Sequence, residues 1–355
     1  MNKYRIEIFN RADLSFESFA ECSEPDINID FLVSAQSSVS CPGQVTGKIG
    51  DFAQIRINGR VYYQGVISDL NFDGSKTEIT LQQLSDILKT EVFADVELLS
   101  SQTIETWFKN LLTATFNGPD PSANLPGLIV LTQSATNGSH AATNDGVYNL
   151  YDLAVSFFKV YGVILDISFD YMARSVSFVF RSVSNTVLKL DLSVSDITEY
   201  EIQPSLVSDS PNKIIIQDEN DPANVITYYW HPTEFSGTID TDPTVNRIIP
   251  VIQQCEKISV DEGETFTDAA YAKAEEVLYN TRYDDLITVV IRADSALINT
   301  WEIGQLFTLY ADGKTYNTLL TGIHTPSMAS VQLTFGYVRK RLTQILKMRN
   351  QGAKI

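Results

Sequence analysis

The internal repeat of this chain constrains its fold more than any other feature of the sequence. Two stretches share one pattern of residues, and the offset between them stays at 254, starting from Ile49 and Ile303, for about 32 positions. Within each stretch apolar and polar residues alternate, which indicates strands. An Asx-Gly pair follows the first strand, beginning at Asn58 in one copy and at Asp312 in the other, and such pairs favour tight hairpins. The repeat therefore predicts two copies of one β-rich unit.

Each copy is expected to contain a strand, the Asx-Gly hairpin, two further strands and a short amphipathic helix. The copies end at Ile87-Leu88-Lys89 and at Ile345-Leu346-Lys347, where the offset has grown to 258, so four residues are inserted before the second terminal helix. We predict that the copies form two similar tube-like β-barrel domains near the two ends of the chain.

Apolar residues at helical spacing predict three helices between the two hairpins. The first covers 104–112 behind Thr103, whose hydroxyl suits the N-cap position. The second covers 150–161, and Gly162 is suited to the left-handed position just after a helix. The third covers 268–279.

The rest of the middle region is predicted as a hairpin and a loop. Alternating residues over 163–169 and 176–180 predict a β-hairpin, whereas 117–145 is rich in Gly, Pro, Asn and Ser and is predicted to be a long surface loop. The predicted fold class is thus β-rich α+β, with two similar tube-like β-barrel domains flanking a mixed α/β middle region. The predicted domains are a first barrel over 1–95, an α+β middle domain over 96–200, a β-hairpin return segment over 201–262, and a second barrel with a basic C-terminal helix over 263–355.

The charge of the chain is strongly negative and unevenly placed. It has 44 acidic and 26 basic residues, a net charge of −18, and this balance excludes a general nucleic-acid binder because phosphate contacts need Lys and Arg. After Asp312 there are seven basic residues and no acidic one. This basic end is either a solvated helix face or a docking element for an acidic neighbour, such as another copy of this chain. In the second case the contact is assigned to Arg339, Lys340, Arg341 and Lys347.

Cysteine usage and apolar runs bear on where the chain is made. Cys22, Cys41 and Cys255 are widely spaced and odd in number, which argues against a disulfide framework and favours a reducing cytosol. The N-terminus leads straight into alternating residues, so no signal peptide is predicted. The apolar runs fall far short of about 18 residues, so no membrane span is predicted.

The sequence offers no local catalytic motif. His140, His231 and His324 stand apart from one another, and the sequence contains no HExxH, nucleophile-elbow or P-loop pattern. Loop positions are expected for His140 and His324. We therefore predict no catalytic, cofactor-binding or metal-binding residues, no cofactor, and a protein that is not an enzyme.

Acidic clusters and aromatic runs favour structural interpretations. Asp218-Glu219-Asn220-Asp221 resembles part of a calcium loop, but Ala223 stands where glycine is expected, so a hairpin turn is predicted. Asp240-Thr241-Asp242 and Asp284-Asp285 are interpreted in the same way. A carboxylate pair for glycoside hydrolysis among the 44 acidic residues stays open. Tyr228-Tyr229-Trp230 could stack on sugars, although at strand spacing such residues are more often core or subunit contacts.

Nine short segments in the C-terminal half of the chain, taken in order, match the pattern of a known family. They are Ser210 to Ile216, Val225 to Tyr229, Asp268 to Tyr279, Asp285 to Val289, Trp301 to Gly304, Asp312 to Tyr316, Leu320 to Ile323, Thr334 to Gly336 and Arg341 to Thr343. With the two-barrel layout, the chain resembles the tail-hub proteins of long-tailed bacteriophages. This group contains the baseplate hub of contractile tails and the N-terminal part of the tail-tip (tail-associated lysin) proteins of siphophages.

The resemblance implies a homotrimer at the distal end of the tail of a virion, or of a prophage or tail-derived particle. In such hubs two barrels per subunit form a ring of pseudo-six-fold symmetry, which caps the tail tube and gates DNA passage. The implied partners are a six-fold distal tail ring protein, a tape-measure protein and receptor-binding or fibre proteins. The passing DNA is not specifically bound, and an acidic lumen would keep its phosphates from sticking. Three chains with two similar units each supply the six units that such a ring needs.

Two other functions stay open from the sequence. One is a tail-associated cell-wall hydrolase or carbohydrate-binding module, which activity on purified peptidoglycan would favour. The other is a tube-like component of a secretion system related to contractile tails.

Overall fold

Strands dominate the computed structural model, which describes residues 3–94, 102–136, 146–203, 211–233, 235, 237–244, 252–260, 265–279, 282–295, 301–327 and 329–337. The strands are β1 Tyr4–Phe9, β2 Phe16–Cys22, β3 Ile27–Asp30, β4 Gln36–Pro42, β5 Phe52–Ile57, β6 Arg60–Phe72, β7 Lys76–Gln83, β8 Glu91–Ala94, β9 Ile129–Thr132, β10 Gly146–Asn149, β11 Val163–Asp170, β12 Ser175–Ser182, β13 Ser184–Asp191, β14 Ile197–Gln203, β15 Lys213–Asp218, β16 Val225–Pro232, β17 Gly237–Asp240, β18 Gln253–Ile258, β19 Leu286–Arg292, β20 Gln305–Ala311, β21 Lys314–Ser327 and β22 Ser330–Phe335. The helices are α1 Ile104–Phe116, α2 Leu150–Tyr161 and α3 Phe266–Leu278, with a 3₁₀ helix, η1, over Leu84–Leu88.

The first sheet is antiparallel and closes on itself. Its strand order is β2-β1-β5-β6-β7-β4, and its two outer strands meet. Ser23 N donates to Ser40 O at 2.8 Å, and Asp26 and Ser38 exchange two backbone hydrogen bonds of 3.0 and 2.9 Å. The resulting barrel encloses alternate apolar side chains of its strands, among them Ile6, Ile8, Val39, Ile55, Ile67, Ile79 and Leu81.

The second sheet runs in the order β13-β20-β21-β22-β19-β14. Its outer strands β13 and β14 are consecutive in the chain and are joined by a turn over 192–196, so the sheet must curl to bring its edges together. Only β13 pairs parallel with its neighbour. The enclosed core includes Ile287, Val289, Phe307, Leu309, Leu333 and Phe335.

The two copies of the repeat fold alike. Asn58 and Asp312, the first residues of the two Asx-Gly turns, both have φ of 51°, and the glycines after them are also in the left-handed region. The offset of 254 carries the start of β6 onto the start of β21, and Lys76, where β7 begins, onto Ser330, where β22 begins. The predicted fold class is confirmed: two curled sheets of similar construction flank a mixed middle region. At the end of the first copy the expected amphipathic helix is the short η1, and the equivalent residues of the second copy lie outside the described ranges.

The middle region contains the predicted helices and hairpin. The Thr103 side chain accepts from Thr106 N at the start of α1, and Gly162 ends α2 at φ 65°. The hairpin β11–β12 follows directly. The prediction of a plain loop over 117–145 was wrong in part, because β9 pairs with β12 in parallel there. β9 has only four residues, and the sequence around it is rich in turn-forming residues. Its alternation, with only Val130 buried, is therefore too short to be recognised from the sequence.

A smaller sheet, β17-β16-β15-β18, carries α3 on one face. The predicted hairpin turn around Asp218 to Asp221 is confirmed, since β15 and β16 pair antiparallel on either side of it. Trp230 is 1% exposed and fills the space above Gly237, where a Cβ would lie 2.0 Å from its ring. Tyr228 is also buried.

The domain boundaries stay predictions, and strand pairing crosses all three of them. β13 and β14 lie mostly within the predicted middle domain, yet they form both edges of the second curled sheet. β3 belongs by sequence to the first barrel, yet it pairs with β21 of the second.

Candidate assembly interface

The two repeat copies meet along one pair of strands, which we call the seam (Ile27–Asp30 of β3 against 322–325 of β21). The pairing is antiparallel, with Asp30 opposite Gly322 and Ile27 opposite Thr325. One backbone hydrogen bond, from Phe31 N to Thr321 O at 3.0 Å, extends it by a residue. The seam therefore joins segments nearly 300 residues apart in the chain.

Two side-chain contacts border the seam. Tyr62 Oη lies 3.1 Å from Thr325 Oγ1, and Thr325 is 2% exposed. His324 Nε2 lies 2.7 Å from Asp26 Oδ1 in a partly exposed contact. Because an exposed contact of this kind contributes about 0–1 kcal/mol, the strand pairing and the part-buried hydroxyl contact carry more of the seam's stability than this contact does.

The seam makes a continuous sheet from strands of both copies. The bridge between Asp26 and Ser38 links the start of β3 to β4, and β3 pairs in turn with β21. The order across the chain is therefore β6-β7-β4-β3-β21-β22-β19-β14, with four strands from each copy. The two ends of this order are β14, which pairs with β19 alone among the described strands, and the later part of β6, where the pairing with β5 has ended.

Buried polar contacts fix the chain where it leaves β3. Gln83 Nε2 donates to Asp30 O at 3.1 Å, and Asp30 N donates to Gln83 Oε1 at 3.2 Å. The Asp30 carboxylate accepts from Leu32 N at 2.8 Å and from Val33 N at 3.2 Å. These contacts tie the direction of β3 to the end of β7, so the seam is built into the first barrel.

The middle region packs against both barrels. On the first, Phe52 lies 5.2 Å from Phe169 between ring centres, and Gln64 exchanges two hydrogen bonds, of 2.8 and 3.1 Å, with the backbone of Phe169. On the second, Arg181 Nη2 donates to Ile303 O at 3.1 Å. The middle region thus holds the two barrels at a fixed relation on either side of the seam.

A cavity of about 320 Å³ opens beside the seam, between β3, β6, η1, α2 and β11. Its lining is largely apolar with a few polar groups, including Asp30, Tyr62, Gln83, Tyr151 and Asp166. Since Asp30 and Tyr62 also border the seam, the cavity belongs to the contact between the two copies.

The acidic pair Asp284-Asp285 lies in the second barrel just before β19. Burial, and secondly the neighbouring Asp285, raise the pKa of Asp284 to about 7. Asp285 accepts from Thr318 Oγ1 at 3.2 Å and touches the backbone of Gly336 closely. The pair is part of the barrel's packing, and within the described ranges no three His, Cys, Asp or Glu side chains come together closely enough to hold a metal ion.

The two histidines that the structure describes lie on different sheets. His231 lies on β16, and His140 lies outside the described residues. The expectation of a loop position for His324 was wrong: it lies within β21, which continues to Ser327 through Pro326. Proline is tolerated near a strand end, where β21 no longer pairs regularly with β22.

The cysteines are free, and two of them meet across the edges of the first barrel. The thiols of Cys22 and Cys41 share a hydrogen bond, which lowers the pKa of Cys22 and, with burial, raises the pKa of Cys41. Cys255 is exposed. The basic residues Arg339, Lys340, Arg341 and Lys347 lie outside the described residues, so the docking assignment for the basic end stays a prediction.

Sequence reasoning missed the seam residues Asp26, Tyr62, Thr325 and Gly322. The alternation around β3 indicates a strand but not its partner. The signal that could have found them is the repeat itself, because Tyr62 and Thr325 both lie on the long second strand of their copies.

Among the described residues, the helices are all too short or too polar to cross a membrane. No protein-family model matches the sequence, and no curated protein sequence does either. Comparison with solved structures, by contrast, finds similar folds over nearly the whole chain.

Three tail proteins illustrate this similarity. The tail protein from Neisseria meningitidis MC58 is 12% identical, with a TM-score of 0.55 over 94% of this chain and 96% of that one. The 43 kDa tail protein of prophage MuSo2 from Shewanella oneidensis is 13% identical, with a TM-score of 0.56 over 97% and 99%. The prophage tail protein gp18 from Listeria monocytogenes EGD-e is 12% identical, with a TM-score of 0.51 over 99% of each chain. The chain therefore has the fold of phage and prophage tail proteins, and the resemblance drawn from its sequence is confirmed at the level of the fold.

Proposed function

We propose that this chain is a structural, non-enzymatic hub of a phage tail or of a phage-derived particle. Three copies form a ring of pseudo-six-fold symmetry that caps the distal end of the tail tube. The ring anchors tip or receptor-binding proteins and gates the passage of DNA. The proposal extends the shared tail-protein fold to a particular place and assembly in the particle.

The observation that carries this proposal is the presence of two equivalent curled sheets joined by the seam. A trimer of such chains offers six similar units, so it can contact a six-fold tail ring through the same kind of surface at every position. A single chain with one barrel would need six copies for the same match.

The proposed partners are those that the resemblance to tail-hub proteins implies. They are a six-fold distal tail ring protein, a tape-measure protein, and receptor-binding or fibre proteins. A trimer with a net charge of −18 per chain repels DNA phosphates, which suits a channel that DNA must cross without being held.

The first test is the mass in solution, measured by light scattering after size exclusion. We expect a value near three times 39.6 kDa. A chain that stays monomeric at high concentration and on addition of its tail ring protein would contradict the trimeric hub.

A second test separates the hub from a cell-wall enzyme. Purified chain is incubated with peptidoglycan, and released fragments are measured. We expect no released fragments. We also expect antibodies against the chain to label the distal end of intact tails. Fragment release that one carboxylate substitution abolishes would instead identify a hydrolase.

A further inference from the structure

The repeat extends beyond the hairpins, because the strand registers give β4 and β19 the same position in the two copies. Val39 lies opposite Ile79 in the first copy, and Val289 lies opposite Leu333 in the second. The offset of 254 already relates Ile79 to Leu333. Val39 therefore corresponds to Val289, although the offset here is 250.

On the far side of these strands, β14 takes the place that the end of β2 and the start of β3 have in the first copy. Asp26 is bridged to Ser38, and Glu201 pairs with Thr288, which corresponds to Ser38. Both contacts are antiparallel. The first residue of β3 therefore corresponds to Ile202, near the end of β14.

Each copy thus contributes one four-stranded unit, β6-β7-β4-β3 from the first and β21-β22-β19-β14 from the second. Within the chain, β3 of the first unit pairs with β21 of the second. The equivalent contact, of β14 with β6, is not made in the part of the chain that the structure describes. The chain therefore forms this junction once, between β3 and β21. The edges that would form it a second time, on β14 and on the later part of β6, pair with no other described strand.

The edge of β6 is open where β14 would lie. Backbone hydrogen bonding on the β5 side ends at Ile67, and over 68–71 the described strands pair with β6 only on the β7 side. Leu70 N donates instead to the side chain of Asp69 at 3.0 Å. Asp69 and Asn71 are exposed. An open edge of this kind is a template for another strand.

The edge of β14 is also available. Residues 198–201 are exposed along the strand. Gln203 is 7% exposed, and its Oε1 is buried with no hydrogen-bond partner among the described residues, whereas its Nε2 donates to Glu201 at 2.7 Å. A buried acceptor without a partner costs about 1–3 kcal/mol, so a donor on a neighbouring strand would stabilise this end of β14.

We propose that β14 of one copy pairs antiparallel with the 69–72 edge of β6 in a second copy of this chain, repeating the seam between molecules. This proposal rests on the proposed trimer and names the strands that join its subunits. Because β6 has one extra residue at its bulge, the strand registers relate Asn71 to His324 and Phe72 to Thr325. Carried over from the register of β3 on β21, the pairing therefore sets Ile202 opposite Phe72 and Gln203 opposite Asn71.

The side chains bordering the seam carry over in part. Tyr62 is the extra residue at the bulge of β6, so its hydrogen bond with Thr325 has no counterpart between molecules. Asn71 occupies the position of His324 and Glu201 that of Asp26, so an amide and a carboxylate replace the side-chain contact of the seam. The intermolecular seam therefore depends on backbone pairing and on the Asn71–Glu201 contact.

The contact is head-to-tail, because β14 and β6 are different surfaces. A heterologous contact closes into a ring or continues as a filament, whereas a two-fold dimer would pair a surface with itself. In a closed trimer, three seams within chains alternate with three seams between chains. The ring then has six similar junctions, and this is how a trimer would acquire its pseudo-six-fold symmetry.

Cysteine trapping tests the pairing directly. In a Cys255→Ser background, Asn71→Cys and Gln203→Cys are placed in separate chains and in one chain. Under mild oxidation neither separate variant should crosslink alone, their mixture should give covalent dimers, and the double variant should give covalent trimers on a non-reducing gel. The matched control, Asn28→Cys with His324→Cys, lies at the equivalent seam within the chain and should oxidise without an increase in mass.

The outcomes separate the pairing from the trimer. Trimers that form without crosslinks overturn the β14–β6 pairing and leave the trimer standing, and crosslinking of one single variant to itself shows a two-fold contact instead. A monomer without crosslinks overturns both the pairing and the trimer.

Hydrogen exchange of the unaltered chain tests the pairing without any substitution. The backbone amides of the peptide covering 68–72 should exchange at least tenfold more slowly in the trimer than in the dilute monomer. Equal exchange rates would overturn the pairing.

Discussion

Tyr62 and Thr325 are 263 positions apart in the chain, and their hydroxyl groups lie 3.1 Å from each other at the junction of the two repeat copies. The contact is partly buried and joins the long second strand of one copy to the long second strand of the other. It therefore reports directly on whether the two barrels are held together.

A double-mutant cycle measures this contact. Tyr62→Phe and Thr325→Val each remove one hydroxyl with little change of shape, and we expect a coupling of about 0.5–1.5 kcal/mol in the free energy of unfolding. Urea denaturation of the four chains gives the value. Additive single effects would mean that the hydroxyl contact contributes nothing to the junction. Ser68→Ala, which removes a hydroxyl on the same strand away from the seam, is the control and should not couple to Thr325→Val.

The stability of the second barrel should depend on pH through Asp284. Burial first, and the nearby Asp285 second, raise the pKa of Asp284 to about 7, so the folded chain holds a proton there that the unfolded chain releases near pH 4. The contribution of the Asp284 carboxyl group to the free energy of unfolding is fully present below about pH 4, and it is lost as the pH rises to about 7. Asp284→Asn should therefore raise the free energy of unfolding by about 1–3 kcal/mol at pH 8 relative to its effect at pH 4.

Denaturant titrations of both chains at pH 4, 6 and 8 test this dependence. Asp294→Asn, at an exposed carboxylate on the same barrel, is the control and should show a much smaller change with pH. A constant difference between the Asp284→Asn chain and the unaltered chain at all three pH values would mean that Asp284 titrates as it does in the unfolded state.

Glu105 should be needed for the start of α1. Its side chain is fully buried, and its carboxylate accepts from Ser134 Oγ, Thr136 N and Thr136 Oγ1, each at 2.8 Å. Glu105→Ala leaves a buried N–H without its partner and should cost about 2–4 kcal/mol. Glu105→Gln keeps one acceptor oxygen and should cost less. Thermal unfolding measures both losses. A loss in Glu105→Gln as large as that in Glu105→Ala would show that the acceptor oxygen kept by Gln does not stabilise the start of α1.

The sequence was sufficient for the elements that depend on local patterns. The Asx-Gly turns, the N-cap Thr103 and the C-terminal Gly162 each depend on residues within a few positions, and the structure has each of them as predicted. The repeat also implied two similar sheets, because a constant offset transfers the geometry of one copy to the other.

The pairing of β3 with β21 could not be predicted from local patterns. Ile27 and Ile29 alternate as in any half-buried strand, and nothing in that alternation selects a partner nearly 300 residues away. The same limit applies to β13, which pairs in parallel with β20 and so depends on the path of the whole middle region. Long-range pairing is decided by packing, whereas periodicity reports only which face of a strand is buried.

The basic end of the chain should matter for assembly. Reversal of Arg339, Lys340, Arg341 and Lys347 to Glu should weaken trimer formation or attachment to the tail by about tenfold or more at low salt, and by less at high salt, because screening reduces contacts between exposed charges. Light scattering at two salt concentrations measures the effect. Lys257→Glu, on the exposed face of β18, is a control for charge change elsewhere. Unchanged trimers and unchanged attachment would leave the basic end as a solvated surface.

Gly50 and Gly304 offer a matched comparison, because they are equivalent in the repeat and both are in the left-handed region, at φ 94° and 86°. Alanine strains the backbone at either position by roughly 1–2 kcal/mol. At Gly50 an added Cβ meets only Arg11 Nη1 at 4.0 Å, whereas at Gly304 it would lie 2.1 Å from Cδ1 of the fully buried Ile164. Gly304→Ala should therefore destabilise the chain by about 1–3 kcal/mol more than Gly50→Ala in urea denaturation, since Ile164 has no room to move. Ile164→Val shortens the side chain that the added Cβ would meet, so in the Gly304→Ala chain it should recover part of the extra loss in the free energy of unfolding. Equal losses for Gly50→Ala and Gly304→Ala would mean that the middle region is not packed against the second barrel at this point.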